Sequence, residues 1–219
     1  MRVGIAAFVI GLVFASISNE AAADEVIAIS RFSNSSLRDW ESRSFKGETS
    51  YTFTTDPEIK STVLKAAADA SASGRFRKIK VDLNVTPFLN WSWKVTDIFP
   101  GIDERTKAGD DFPARIYVVV ERGILGASSL SLNYVWASQH SAGSLWPSPY
   151  TNQVKLLAID SGSEALSKWV RHKRDLRADL KKAFGEDITE VDAVALMTDT
   201  DDHGGRAETY YGEIWFSGK

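Results

Sequence analysis

From residue 26 to residue 216 the chain keeps returning to one pattern. Apolar side chains stand at alternate positions, in runs too short for most helices and broken by Asn, Asp, Gly, Pro or Ser. A period of two sends alternate residues to opposite faces, so each run reads as a strand, and many in succession point to a sandwich. The strongest stretch is residues 191–216, VDAVALMTDTDDHGGRAETYYGEIWF. Ala193, Ala195 and Met197 share one face and Val194 and Leu196 the other, so both faces are apolar and the strand should lie centrally. A polar, turn-prone segment follows: Asp199, Asp201, Asp202, His203, Gly204 and Gly205. The next strand sends Tyr211, Glu213 and Trp215 one way and Tyr210, Ile214 and Phe216 the other. The expectation is a central hairpin with a functional loop.

Residues 1–23 stand apart. Arg2 precedes an almost uninterrupted apolar run to Ile17, and Ala21-Ala22-Ala23 leads into Asp24-Glu25. This is the layout of a cleavable export signal, with cleavage expected after Ala23. A retained anchor would need roughly 20 apolar residues, and here the run ends at Ser18-Asn19-Glu20. The expected protein is therefore periplasmic or secreted, without a membrane span after cleavage, and residues 24–219 form one domain. The chain has no cysteine, which excludes a disulfide framework, thiolate metal sites and a cysteine nucleophile. Its net charge of −3 gives no electrostatic reason to expect nucleic acid.

In order, strands are expected at residues 26–32, 49–54, 78–85, 89–95, 114–120, 129–137, 154–159 and 168–174. Residues 61–72 fit helix or strand, because alanine serves both. One segment is helical by spacing: Asp175 caps it, Leu176, Leu180 and Phe184 recur along it, and Gly185 stops it. Leu37 and Trp40 are expected to plug an edge of the core, and Trp91, Trp93 and Trp215 to lie within it.

If the aliphatic and Trp sets of the middle strands face inward, the opposite faces carry Lys94, Arg115, Tyr117 and Asn133. Were those strands neighbours, the four side chains would form one polar ligand surface. Trp146 and Tyr150, in the loop SLWPSPY, and Tyr211 are the aromatic candidates for the same surface. Adjacent Asp110 and Asp111 admit an acid/base role, but the blander reading is structural. In that reading Asp110 caps a turn and Asp111 pairs with Arg115 or Lys94. Asp199-x-Asp201-x-His203-Gly204 resembles the start of a calcium loop, yet it follows a strand and has Tyr210 where an EF-hand needs its bidentate acid. A sandwich-type calcium site on Asp199 and Asp201 remains as one reading, and a self-bonded polar turn as the other.

The strings KAGDDFPARIYVVVE, LNYVWAS, LWPSPYTNQV, KKAFGE and ALMTDTDDHGGRAETYYGEIWF, in that order, resemble an uncharacterised bacterial family, domain of unknown function 3047. The resemblance spans residues 32–216. The chain departs from the family's usual pattern at Ser148 and at Asp202-His203. The resemblance implies bacterial origin and export but no established activity. The expected architecture is a mostly β, antiparallel, jelly-roll-like sandwich with one short helix, similar to carbohydrate-binding modules. Three functions stay open. The first is a non-catalytic module binding a carbohydrate or other polar envelope ligand. The second is a glycan-directed hydrolase using Asp110, Asp111, Asp199 or Asp201. The third is a purely structural envelope protein.

Overall fold

The structure, a computed structural model, describes residues 25–219, so the expected export signal at residues 1–23 lies outside the described residues. Alternation becomes strand almost everywhere it occurs. The first strands are β1 (Val26–Ala28), β2 (Glu41–Lys46), β3 (Ser50–Asp56), β4 (Ser61–Asp69), β5 (Ala72–Asp82), β6 (Phe88–Val95) and β7 (Arg115–Val120). Then come β8 (Leu130–Ala137), β9 (Leu145–Pro147), β10 (Val154–Ser161), β11 (Val170–Asp175), β12 (Glu190–Asp199), β13 (Arg206–Tyr211) and β14 (Trp215–Ser217). The ambiguous stretch 61–72 is strand: Ala66 and Ala68 are buried, and Ala70 turns the chain at φ 45°.

Two sheets face each other. The first runs β1-β14-β6-β13-β4-β3, with β11 on the other edge of β6. The second runs β2-β5-β12-β7-β8-β10-β9, antiparallel except where β10 pairs with β8. Leu89, Trp91, Trp93 and Val95 of one sheet meet Ile116, Val118, Leu132, Tyr134, Trp136, Val194 and Leu196 of the other in a common core. Trp91 stacks on Tyr134 with ring centroids 5.0 Å apart. Leu37 and Trp40 pack on this core as expected.

The one α-helix among the described residues, α1 (Leu176–Phe184), is capped by Asp175, whose carboxylate accepts from Ala178 N at 2.9 Å, and Gly185 ends it in the left-handed region. It buries Leu176 and Leu180. Among the described residues no helix is long and apolar enough to cross a membrane.

Two expectations about residues 191–216 are corrected. The segment is not a hairpin. Strand β12 is already paired with β5 on one edge and β7 on the other, so the returning chain finds no free edge. It crosses at Gly204 and Gly205, both at positive φ, and β13 joins β4 and β6 in the opposite sheet. Nor is 206–216 one strand. At Gly212 the chain passes Ser92 so closely that a Cβ would lie 2.2 Å from its Oγ. The break resets the parity: Tyr211, Ile214 and Phe216 are all buried, whereas Trp215, expected in the core, is half-buried.

Candidate functional site

The register of the second sheet defines its outer face. Phe76, Ala195, Tyr117, Asn133 and Leu156 lie in one row across β5, β12, β7, β8 and β10, and Trp146 of β9 extends it. Residues directly opposite in a ladder share a face. The row on one side is Lys78, Ala193, Val119 and Ser131; on the other it is Gly74, Met197, Arg115 and Val135. Small residues on the central strand β12 therefore form a floor between taller neighbours on β5 and β7. The result is an open trough of about 400 Å³, floored by Ala193, Ala195 and Met197 and walled by Phe76, Tyr117 and Val119. Phe45, which is 63% exposed, stands at its rim.

Past Tyr117 and Met197 the trough opens into a second hollow of about 500 Å³. Ser131, Asn133, Ser148 and Tyr150 line it on one side, and Asp110, Asp199, Asp201 and Asp202 on the other. Asn133 is buried and its Oδ1 accepts from Ser131 Oγ at 2.9 Å. Tyr150 is exposed, donates to Asp202 Oδ2 at 3.3 Å and lies under the Lys107 ammonium at 5.2 Å.

Arg115 sits beneath this hollow. Its Nε donates to Asp199 Oδ1 at 2.8 Å while its Nη2 donates to Asp199 Oδ2 and to the Asp110 carbonyl; Nη1 reaches Asp110 Oδ1 at 3.4 Å. The guanidinium also lies 4.3 Å over the Phe112 ring. Burial opposes the Arg115 charge, but Asp199, Tyr117 and Asp110 hold its pKa well above the ordinary value. Two carboxylates share one guanidinium, so not every acid here is neutralised. Burial pushes Asp199 up to about 8 against the pull of Arg115. Asp110 is raised by burial and by Asp202, again against Arg115. Asp202 is raised by burial and by the charges of Asp201 and Asp111.

The expected ligand set is thus only partly assembled. Arg115, Tyr117, Asn133 and Tyr150 do meet on one face. Lys94 does not: it belongs to β6 in the opposite sheet, is paired with Asp56, and lies 5.0 Å over Tyr210. Sequence order placed β6 beside β7, but the chain changes sheets between them. Trp146 and Tyr211 are 4% and 0% exposed. Trp146 is sealed against Phe112, Val135, Leu156 and Ala158. Tyr211 lies between the sheets, donating to Met197 O at 2.7 Å. Neither ring is free to stack on a ligand.

The acids are also rearranged. Asp111 pairs with neither Arg115 nor Lys94. It is wholly buried and accepts from Asp202 N, His203 N at 2.7 Å and the His203 ring at 2.6 Å. The calcium pair is divided, because Asp199 is clamped by Arg115 while Asp201 turns toward Asp111 and Asp202. Ligand oxygens of those last three lie within 4.8 Å of one another.

Sequence reasoning passed over Phe45, Phe76 and Glu104. Glu104 is fully buried and accepts from Ser138 N, Gln139 N, His140 N and the His140 ring. It pins residues 96–114 across part of the sheet. For Phe76 the available signal was its place on one face with Gly74 and Lys78 within residues 72–82.

No curated protein matches the chain in sequence. Among solved structures it is similar to the family 11 carbohydrate-binding module from Clostridium thermocellum in complex with a β-1,3-1,4-mixed-linked tetrasaccharide. The identity is 10%, the coverage 87% of this chain and 94% of that one, and the TM-score 0.45. The family 30 carbohydrate-binding module of a C. thermocellum cellulosomal cellulase is 12% identical, with coverage of 81% and 90% and a TM-score of 0.45. A cellulase derived from Cel12A of Rhodothermus marinus is 10% identical, with coverage of 88% and 100% and a TM-score of 0.45. A family profile matches residues 38–215, and the chain therefore belongs to the family described as protein of unknown function (DUF3047).

Proposed function

We propose that this protein is a non-catalytic module, exported after loss of residues 1–23, that binds a carbohydrate or similar polar ligand on the outer face of its second sheet. The observation that carries the reading is the open trough itself. Phe76 and Tyr117 flank an alanine floor two strands apart, about 9.5 Å at ordinary strand spacing, and a polar hollow adjoins them. Aromatic walls with a few convergent polar groups are the usual make-up of a small-ligand site. Asn133, Ser131, Tyr150, Asp201 and Asp202 supply those groups here.

The hydrolase alternative needs two carboxyls free to serve as acid and base. Asp199 is committed to Arg115 and Asp111 to His203, so of the four candidates that reading would rest on Asp110 and Asp201, which line the same hollow. A thermal-shift screen of residues 24–219 against soluble glycans tests the proposal. A hit that Tyr117→Ala and Asn133→Ala both weaken supports it, and a broad panel without any hit sinks it. Calcium is a separate arm: a cation held by Asp201 and Asp202 raises Tm at millimolar calcium, and Asp201→Ala removes the rise.

A further inference from the structure

We propose that a hollow at the edge of the sandwich, lined by Arg31, Arg38 and Arg77, binds a doubly charged oxyanion: inorganic phosphate or a phosphomonoester. The site does not depend on the trough. Arg77 follows Phe76 on β5, and alternation turns it inward with Ile79 and Val81, which pack on the common core. Residues 29–40 run from β1, an edge of the first sheet, to β2, an edge of the second, and so cross between the sheets. Arg77 meets the start of this crossing, its Nη1 donating to the carbonyls of Ala28 at 3.3 Å and of Ile29. Among the described residues its Nη2 makes no hydrogen bond, and the Asp39 carboxylate, 62% exposed, stands 3.9 Å away. Arg31 and Arg38 line the same hollow, of about 310 Å³, from the crossing segment. Among the described residues neither of their guanidiniums has a hydrogen-bond or carboxylate partner.

The crossing segment is anchored on both sides. Phe32 and Trp40 are buried with ring centroids 5.8 Å apart, and Arg31 bridges Ser36 through the backbone. Glu213 Oε1 accepts from Ser33 N at 2.8 Å and from Ser33 Oγ at 2.6 Å, while its other oxygen accepts from Ser30 Oγ. Glu213 is thus taken up by serines, and Asp39 is the one carboxylate lining the hollow against three guanidiniums. Like charges gathered in one place repel. Several other arginines avoid this by pairing, Arg115 with Asp199, Arg174 with Asp179 and Arg177 with Asp187. Here two positive charges stay uncompensated, in a chain whose net charge is −3. A dianion compensates both, and each planar guanidinium offers parallel N–H groups to phosphate oxygens. Ser36 adds a hydroxyl: its Oγ accepts from Arg38 N at 3.2 Å, which leaves its proton free to donate. The volume is at the small end for a ligand pocket and suits a phosphate bearing at most a small group.

The test titrates residues 24–219 with phosphate, glucose 6-phosphate, glucuronate and glucose, in a mildly alkaline, low-salt buffer where the phosphoryl group is doubly charged. Phosphate and glucose 6-phosphate should raise Tm, while sodium chloride at the same ionic strength does not. Glucuronate carries a single charge and should bind at least about tenfold more weakly than glucose 6-phosphate, and glucose not at all. Arg31→Gln and Arg38→Gln should each lose at least about tenfold in phosphate affinity. Without anion both should melt no lower than the unsubstituted protein, because neither side chain has a partner to lose. Arg43→Gln, in the trough, should keep full phosphate affinity. Tighter binding of glucose 6-phosphate than of phosphate assigns the site to a phosphorylated sugar, and equal affinity assigns it to the free ion. A Tm rise matched by sodium chloride overturns the site. So does undiminished phosphate affinity in both Arg31→Gln and Arg38→Gln, or a loss confined to Arg43→Gln. Hits among neutral glycans without phosphate binding leave the proposed function standing and remove this site.

Discussion

Across β8, β10 and β9 the outward residues Val135, Ala137, Leu156, Ala158 and Trp146 are sealed beneath Phe112 in a small core of their own. Across β5, β12 and β7 of the same sheet, the outward Phe76, Ala195, Tyr117 and Val119 face solvent. The two halves have the same alternation and similar apolarity. They differ because residues 96–114 fold back over one of them, held by Glu104, which also receives the Trp146 indole on its carbonyl at 3.3 Å. Arg115 stands at the boundary, with Phe112 under its guanidinium and the open hollow beside it. An apolar sheet face is thus core or groove according to whether a connecting segment covers it, and an uncovered one invites a ligand.

The most direct way to break the contrast is to release the cover. Glu104→Ala orphans the buried Ser138 N–H and removes the partner of the better-solvated Gln139 and His140 N–H groups, so we expect a loss of about 2–4 kcal/mol in denaturant titration. Dye binding to newly exposed apolar surface should rise below the unfolding midpoint. A loss under about 1 kcal/mol would mean that the cover stays in place without its pin.

Arg115→Lys attacks the boundary. An ammonium cannot reproduce the fork that meets both oxygens of Asp199, so a loss of about 1–3 kcal/mol is expected even without ligand. Equal stability of the two proteins would assign Arg115 to the ligand rather than to the fold.

A smaller effect follows from pH. Asp199 is raised to about 8, from about 3.9 when unfolded, so between these values the folded state holds more protons than the unfolded state. Stability from this group is fully present below about pH 4 and is lost as pH rises through about 8. Asp56, Glu208 and Glu213 are shifted downward, and their contribution is lost only on acidification. Melting temperature should therefore fall between about pH 5 and pH 9, and Asp199→Asn should flatten that slope. An unchanged slope in Asp199→Asn would locate the titration elsewhere.

The smallest change is expected in the open half. Ala195→Leu adds volume to a surface that nothing covers, so stability should move by no more than about 0.5 kcal/mol. The same enlargement at Ala158, in the covered half, should cost about 1–3 kcal/mol by overpacking. Similar costs at both positions would mean that the two halves are not distinct.

Much of this architecture is legible in the residues. Alternation at 89–95, 114–120 and 129–137 assigned their inward faces correctly, and Asp175 with Gly185 marked the helix, because both signals are local. The partnership of Arg115 with Asp110 was also within reach, since the two stand five positions apart. The division of 191–216 between two sheets was not, because alternation carries no information about which edges are already occupied. Lys94 was misplaced for the same reason, and Trp146 because its cover comes from a distant segment. What the sequence by itself determined is therefore periodic and short-range: strands, their apolar faces, one capped helix, no disulfides. Only the tertiary structure decided that Arg115 meets Asp199, that Asp111 meets His203, and that half of one apolar face stays open. Those outcomes depend on strand order and on the return of residues 96–114, which are set by packing between segments far apart in the chain.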